Sequence, residues 1–158
     1  MSQIEYDTAV IGAGLMGAGT ALFLARSGMR CVLLDRRGVC SEASGVNAGT
    51  LTMQMTRADL IPYAIKGWEM WTNRQEWLGI NPSVVAAPGL SLAFTEEEVA
   101  TLEHRAAVRR EHGAQIELVT ASKARSIEPG LSTEVMAASY CPMDGFAKAN
   151  QTGFALHQ

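Results

Sequence analysis

Apolar positions along this chain change their period several times, and each change marks an element. Residues 6–11, "YDTAVI", form a short β-branched run that ends on Gly12 and predicts a buried parallel strand. From Leu15 to Ser27 the spacing turns helical. Gly17, Ala18, Ala21 and Ala25 put small side chains on one face, which lets the helix sit close to a sheet, and Gly28 ends it. Cys31–Leu34 is apolar again, so the first 35 residues predict one βαβ unit.

A polar, glycine-bearing stretch comes next, "RRGVCSEASGVNAGTLTMQMTR", and predicts a long loop. Connections of that length inside a compact domain are usually functional. Helical spacing returns from Asp59 to Leu78 through Ile61, Ile65, Trp68, Trp71 and Leu78, with Pro62 tolerable only in the first turn. Strands are expected at Val84–Ala86 and Leu90–Phe94. Thr95 and Glu98 then form a capping box ahead of a charged helix that Gly113 stops near His112. Ile116–Val119 predicts another strand, "TASKARSIEPG" a short helix broken by Pro129, and Val135–Tyr140 a strand before the turn "PMDG". Asn150–Gln158 starts a helix that is still apolar-periodic at its last residue, which leads us to expect a truncated chain. No repeat or low-complexity segment interrupts the pattern.

Composition narrows the function classes. The 158 residues are 47% hydrophobic and 18% charged, with a mean hydropathy of +0.05, values typical of a globular domain. A net charge of −3 gives no electrostatic footprint for nucleic acid. The longest apolar run falls short of the ~20 residues a membrane span needs. The first residues lack the basic-then-apolar layout of a secretory signal, so a cytoplasmic location is expected, with peripheral membrane association left open. Cys31, Cys40 and Cys141 have neither metal-site nor redox-motif spacing. Cys31 is expected to be a small core residue, and no metal site is expected.

The candidate chemistry sits in Gly12-x-Gly14-x-x-Gly17, between a strand and a helix. Gly12 permits the tight turn, Gly14 lets backbone approach a pyrophosphate, and Gly17 lets helix and strand pack closely. The helix mouth presents unsatisfied N–H groups to that pyrophosphate. Asp35, at the end of the second strand, is placed to accept hydrogen bonds from ribose hydroxyls. Arg36 and Arg37 either meet a cofactor phosphate or the adenine, or form a solvated pair. Asp35 argues against the 2′-phosphate of NADP. These residues predict dinucleotide binding, and on spacing alone both FAD and a nicotinamide cofactor remain open. His104 and His112 read as solvated, Trp68 and Trp71 as core, and Tyr140 and Met143 flank a turn near the expected substrate region. No acid–base pair stands out, so no catalytic residue is assigned.

The residues beyond Asp35 are more specific. The segment Ala43-Ser44-Gly45-Val46-Asn47-Ala48-Gly49-Thr50-Leu51, the helix "IPYAIKGWEMWTNRQEWLGI", "ASKARSIEPGLS" and "CPMDGFAKA" occur in order. Together they resemble the D-amino-acid oxidase superfamily of FAD-dependent oxidoreductases, in the branch of glycine oxidase, sarcosine oxidase and related amine-oxidising subunits. The last segment departs from the family at Ala149, where a proline is usual. The resemblance implies an α/β fold. A Rossmann-like FAD-binding domain would draw on residues 1–80 and 141–158, and the beginning of an α+β substrate domain would occupy 81–140. It implies FAD held by Gly12, Gly14, Leu15 and Met16 at the pyrophosphate and by Asp35 and Arg36 at the adenosine. Ala43 and Ser44 would meet the phosphates, and Gly49, Thr50 and Leu51 would pass backbone by the isoalloxazine ring. It further implies oxidation of a small amine or amino acid, with oxygen or an electron carrier as acceptor and a possible role as one subunit of a larger oxidoreductase. A nicotinamide-dependent dehydrogenase and a non-catalytic FAD-binding module are the alternatives.

Overall fold

The computed structural model describes residues 5–157. In chain order the elements are β1 (Thr8–Ile11), α1 (Leu15–Arg26), β2 (Cys31–Leu34), α2 (Ala43–Val46), β3 (Thr50–Leu51), α3 (Ile61–Thr72) and α4 (Arg74–Leu78). They continue with β4 (Val84–Ala86), β5 (Gly89–Ala93), α5 (Glu96–Glu111), β6 (Glu117–Thr120), α6 (Ala121–Ile127), β7 (Ala137–Cys141), β8 (Gly145–Ala147) and α7 (Ala149–Leu156). Two compact units result. One holds residues up to Gly49, Arg74–Val84 and the segment from Ala147 onward; the other holds Thr50–Asn73 and Val85–Phe146.

In the first unit β1 and β2 pair in parallel, with Thr8 opposite Cys31 and Ile11 opposite Leu34. Parallel neighbours need a crossover, which α1 provides. α1 packs on both strands and on α7, and α7 packs on α2. This is the expected βαβ unit. Ile11 is 86% exposed and Leu34 is open, although parallel strands are normally covered on both faces. The described residues therefore leave apolar surface at this edge. Cys31, expected in the core, is half-buried.

Helical spacing over 59–78 predicts one helix, but the structure breaks it at Asn73. The Thr72 hydroxyl donates to the carbonyls of Trp68 (2.9 Å) and Glu69 (3.0 Å), and the Asn73 N–H donates to Glu69 as well. A threonine that engages the preceding turn in this way competes with helix continuation. The two halves belong to different units. α3, with Pro62 in its first turn, lies in the second, while Trp77 of α4 stacks on Phe23 of α1 in the first, centroids 5.9 Å apart.

The second unit is built on antiparallel strands in the order β5-β7-β6, with Leu90 opposite Tyr140 and Leu118 opposite Ser139. A smaller sheet runs β3-β8-β4, Thr50 pairing with Phe146. Met53, Ile61, Ala106, Ala114, Ile116 and Cys141 form the larger core cluster, against which Trp68 and Met143 pack. The indole Nε1 of Trp68 is buried without a hydrogen-bond partner. α5 begins with the expected capping box. Thr95 Oγ1 accepts from the Glu98 N–H at 3.2 Å, and the Glu98 carboxylate accepts from the Thr95 N–H at the same distance. Such a cap contributes about 1 kcal/mol.

Three short elements were not expected. α2 and β3 lie inside the stretch read as a loop, and β8 comes after the turn at Asp144. The helix expected to reach Gln158 runs to Leu156, and Gln158 lies outside the described residues.

Candidate functional site

The glycine turn is fastened at each step. Gly12 adopts φ +99°, a conformation that glycine alone takes without strain, and its N–H donates to Leu34 O at 2.7 Å. Ala13 N–H donates to Asp35 Oδ2 at 2.6 Å, and Ala13 O accepts from the Cys40 N–H at 2.7 Å. Leu15 N–H donates to Ser44 Oγ at 3.0 Å. The long excursion after β2 has a structural purpose. It returns to the turn and fixes its shape through Asp35, Cys40 and Ser44.

Gly17 lies where α1 comes closest to the turn. A Cβ built there would sit 1.8 Å from Gly12 O, a contact no side chain can occupy. At Gly14 the same Cβ would come 3.1 Å from Ser44 Oγ. Gly17 therefore has the close-packing role its spacing predicts, while at Gly14 the neighbour is the Ser44 hydroxyl.

Around this turn Ala13, Gly14, Asp35, Glu42, Ala43 and Ser44 line a cavity of about 200 Å³. Complete small-ligand pockets run to ~300–1,000 Å³, so it admits part of a dinucleotide and not the whole. The donor set suits two different groups. Asp35 receives two backbone N–H groups, from Ala13 and, at 2.7 Å, from Arg37. A carboxylate has about four acceptor positions, which leaves room for the hydroxyls of a diol. Ser44 Oγ accepts from Leu15, so its own proton is free to donate to an anionic oxygen at the helix mouth. The first amides of α1 have no carbonyl one turn back within the helix.

Amide hydrogen bonds, first from Ala13 and then from Arg37, hold the Asp35 carboxyl below the usual carboxylate range. A group whose folded value is depressed stabilises the folded arrangement above its unfolded value, about 3.9 for aspartate. That contribution is lost as pH falls through the lower folded value. Dinucleotide binding should therefore hold at pH 5 and weaken only below about pH 4. Asp35→Asn should bind about tenfold more weakly at pH 7 and lose the acid-side dependence. Equilibrium titration across pH 3.5–7 checks both, and equal affinities for the two proteins at pH 7 would remove Asp35 from the site.

Arg36 and Arg37 both reach Glu42, at 2.6 and 3.2 Å, on exposed side chains. Exposed pairs of this kind contribute about 0–1 kcal/mol. Sequence reading missed Glu42, and it missed Cys40, a buried non-glycine residue at φ +50°. Left-handed backbone at such a residue costs about 1–2 kcal/mol. Gly153 of α7 packs on it, where a Cβ would come 2.6 Å from Cys40 Cβ. Neither residue carries a motif that would have marked it.

Gly49 closes the first unit at φ +69°, with its carbonyl accepting from Ala147 N–H at 2.9 Å; a Cβ there would meet Ala147 O at 1.8 Å. Thr50 and Leu51 begin the second unit as β3. With Gln54, Leu90, Ser91 and Phe146 they line a second cavity, of about 270 Å³. Met143 packs against the core and Tyr140 against the sheet cluster of Val119, Ala124 and Ala138. Burial, followed by the neighbouring Asp144 charge, pushes the Cys141 thiol up to about 12, so it stays protonated and inert as a nucleophile. His104 and His112 are exposed. Among the described residues no cluster of three or more His, Cys, Asp or Glu could hold a metal, and no helix is long and apolar enough to cross a membrane.

A glycine turn between parallel strands, closed by a carboxylate at the end of the second strand, is the architecture of the dinucleotide-binding α/β class. Within it, this chain belongs to the DAO family, FAD dependent oxidoreductase, whose model matches residues 7–156. The family match decides for FAD the cofactor question that the glycine spacing leaves open. Glycine oxidase of Geobacillus kaustophilus is 31% identical over 96% of this chain and 42% of its own length. One of the subunits of the opine oxidase of Rhizobium meliloti is 30% identical over 97% and 44%. In the crystal structure of the Geobacillus glycine oxidase, 96% of this chain superposes on 43% of that one with a TM-score of 0.84. L-proline dehydrogenase from P. horikoshii, 26% identical, gives 0.86 over 96% and 40%. The chain spans less than half the length of the curated relatives it matches.

Proposed function

We propose that this chain contributes the cofactor-binding region of an FAD-dependent enzyme that oxidises a small amine or α-amino acid. The observation that carries this reading is the glycine turn held by Asp35, Cys40 and Ser44, which leaves acceptor positions suited to a diol and a donor suited to an anion. Asp35 binds the adenosine ribose, and Arg36 stands beside it at the adenosine end. Ser44, Ala43 and the helix-mouth residues Gly14 and Met16 bind the pyrophosphate, where the helix dipole favours negative charge, and Leu15, whose amide is taken by Ser44 Oγ, holds that hydroxyl at the site. Gly49, Thr50 and Leu51 supply backbone for the ring. In this reading residues 1–80 and 141–158 serve the cofactor domain and 81–140 the substrate domain.

Bound FAD supplies two-electron oxidation, in which a hydride leaves the carbon next to nitrogen and the resulting imine is hydrolysed by water. The chain's own residues bind and orient; none of them is assigned a proton. Similarity to glycine oxidase and L-proline dehydrogenase supports an amino-acid substrate, and similarity to one subunit of an opine oxidase supports work within a larger assembly. Oxygen or an electron carrier serves as acceptor, and the enzyme works in the cytoplasm. The test is anaerobic mixing of the FAD-loaded, native-length protein with glycine, sarcosine, D-alanine and L-proline. Bleaching of the flavin by at least one is expected. Bleaching by NADH alone, or by none of these, would count against amine oxidation.

A further inference from the structure

A further cavity lies away from the glycine turn, wholly within the second unit. It has a volume of about 450 Å³, inside the range of small-ligand pockets. Arg105 and Arg109, one turn apart on α5, share its wall with Leu102, and Gln54, Ser91 and Ser139 are its polar members. No acidic side chain lines it. Arg109 is half-buried and oriented by two carbonyls, its Nε donating to Thr56 O at 2.9 Å and its Nη1 to Arg105 O at 3.2 Å. The Arg105 guanidinium has no hydrogen-bond acceptor and no carboxylate partner among the described residues. Burial and the Arg105 charge both disfavour the cationic form of Arg109. Asp144, which lines the adjoining cavity, is turned to other uses, accepting from Met53 N–H and Gln54 Nε2.

By contrast, the next arginine on the same helix is fully paired. Arg110 donates to Glu103 and to Ile116 O, each at 3.0 Å. Half-buried Arg109 and exposed Arg105 thus carry like charges at one cavity wall with no carboxylate lining it, an arrangement that favours an anion from outside. Planar guanidinium groups match a carboxylate bidentately. Leu92 and Ile116, which also line the cavity, suit a short carbon chain better than an inorganic anion.

We propose that this cavity is a binding site for the carboxylate of a small organic anion. It shares Gln54, Met55 and Ser91 with the cavity lined by Thr50 and Leu51. The carboxylate can therefore belong to a substrate that reaches both cavities or to a separate ligand. The first source rests on the function proposed above; the site itself does not.

The test is calorimetric titration of the native-length protein with glutarate, with glutaramide and inorganic phosphate as controls, in wild type, Arg105→Gln and Arg109→Gln. Arg105 has no structural bond through its side chain, so Arg105→Gln reports on binding without disturbing the fold. Glutarate is expected to bind in the millimolar range or tighter and to lose about tenfold or more with either variant, while glutaramide does not bind. If glutarate also competes with the amine that bleaches the flavin, the carboxylate is the substrate's. If it binds without competing, the site takes a separate ligand. Absence of glutarate binding, affinity unchanged in Arg105→Gln, or equal binding of phosphate would overturn the proposal. These overturning results are read from binding alone; only the competition arm requires the amine-oxidation assay to succeed.

Discussion

Gly17→Ala is expected to abolish FAD retention and to destabilise the first unit by at least about 2–3 kcal/mol, because the new methyl falls on a carbonyl oxygen and not on a side chain that could rotate away. The added Cβ would lie 1.8 Å from Gly12 O and 3.5 Å from Val10 Cγ1. Relief requires α1 to move off β1, which would pull Leu15 from Ser44 and displace the amides at the helix mouth. Gly19, two residues on in the same helix, has nothing within 4 Å of the place a Cβ would take, and no left-handed φ. Gly19→Ala should therefore stabilise by up to about 1 kcal/mol through helix propensity alone. Urea unfolding and flavin content of the two variants make the comparison. Normal flavin content in Gly17→Ala would show that the close approach is not needed.

Asp144→Ala is expected to cost about 3 kcal/mol. Asp144 is 7% exposed, and its carboxylate accepts from Met53 N–H at 2.8 Å and Gln54 Nε2 at 3.1 Å. Met53 is itself 1% exposed, so truncation leaves its amide buried without an acceptor, which alone costs about 1–3 kcal/mol. Gln54 also loses the partner that orients its amide toward Ser139 Oγ, 2.7 Å away. For a chain of this size each kcal/mol shifts Tm by roughly 2–4 °C, so a fall of about 6–12 °C is expected. Asp144→Asn keeps one oxygen for Met53 and faces Gln54 with a second donor, so it should lose about a third of that. Thermal unfolding of both variants makes the check, and an unchanged Tm in Asp144→Ala would refute the role given to its carboxylate.

These two residues show what a sequence discloses and what it hides. Gly17 was legible because its partner Gly12 is five positions away and the spacing of three glycines has one steric meaning. The α5 cap was legible for the same reason, since Thr95 and Glu98 satisfy each other locally. Asp144 was visible only as part of a turn, because the amide it accepts from lies 91 residues back along the chain. β3, two residues long, and β8, three residues long, escaped notice likewise, for strands so short exist only through their partners, as Thr50 against Phe146. The break at Asn73 was hidden by apolar spacing that continues across it. In the candidate site, Asp35 and Ser44 follow from pattern and resemblance. Cys40 and Glu42 do not, since a left-handed cysteine and a glutamate shared by two arginines leave no periodic trace.

The central claim is that the turn at Gly12–Gly17, with Asp35 and Ser44, holds FAD. The most direct measurement is an absorbance spectrum of the protein purified from its native source, with intact mass and the identity of any released cofactor determined on the same sample. Flavin bands in the visible, with FAD released stoichiometrically on denaturation and lost in Gly17→Ala, are the predicted result. A colourless protein that takes up no FAD when folded at full native length, or one that binds only a nicotinamide dinucleotide, would contradict it.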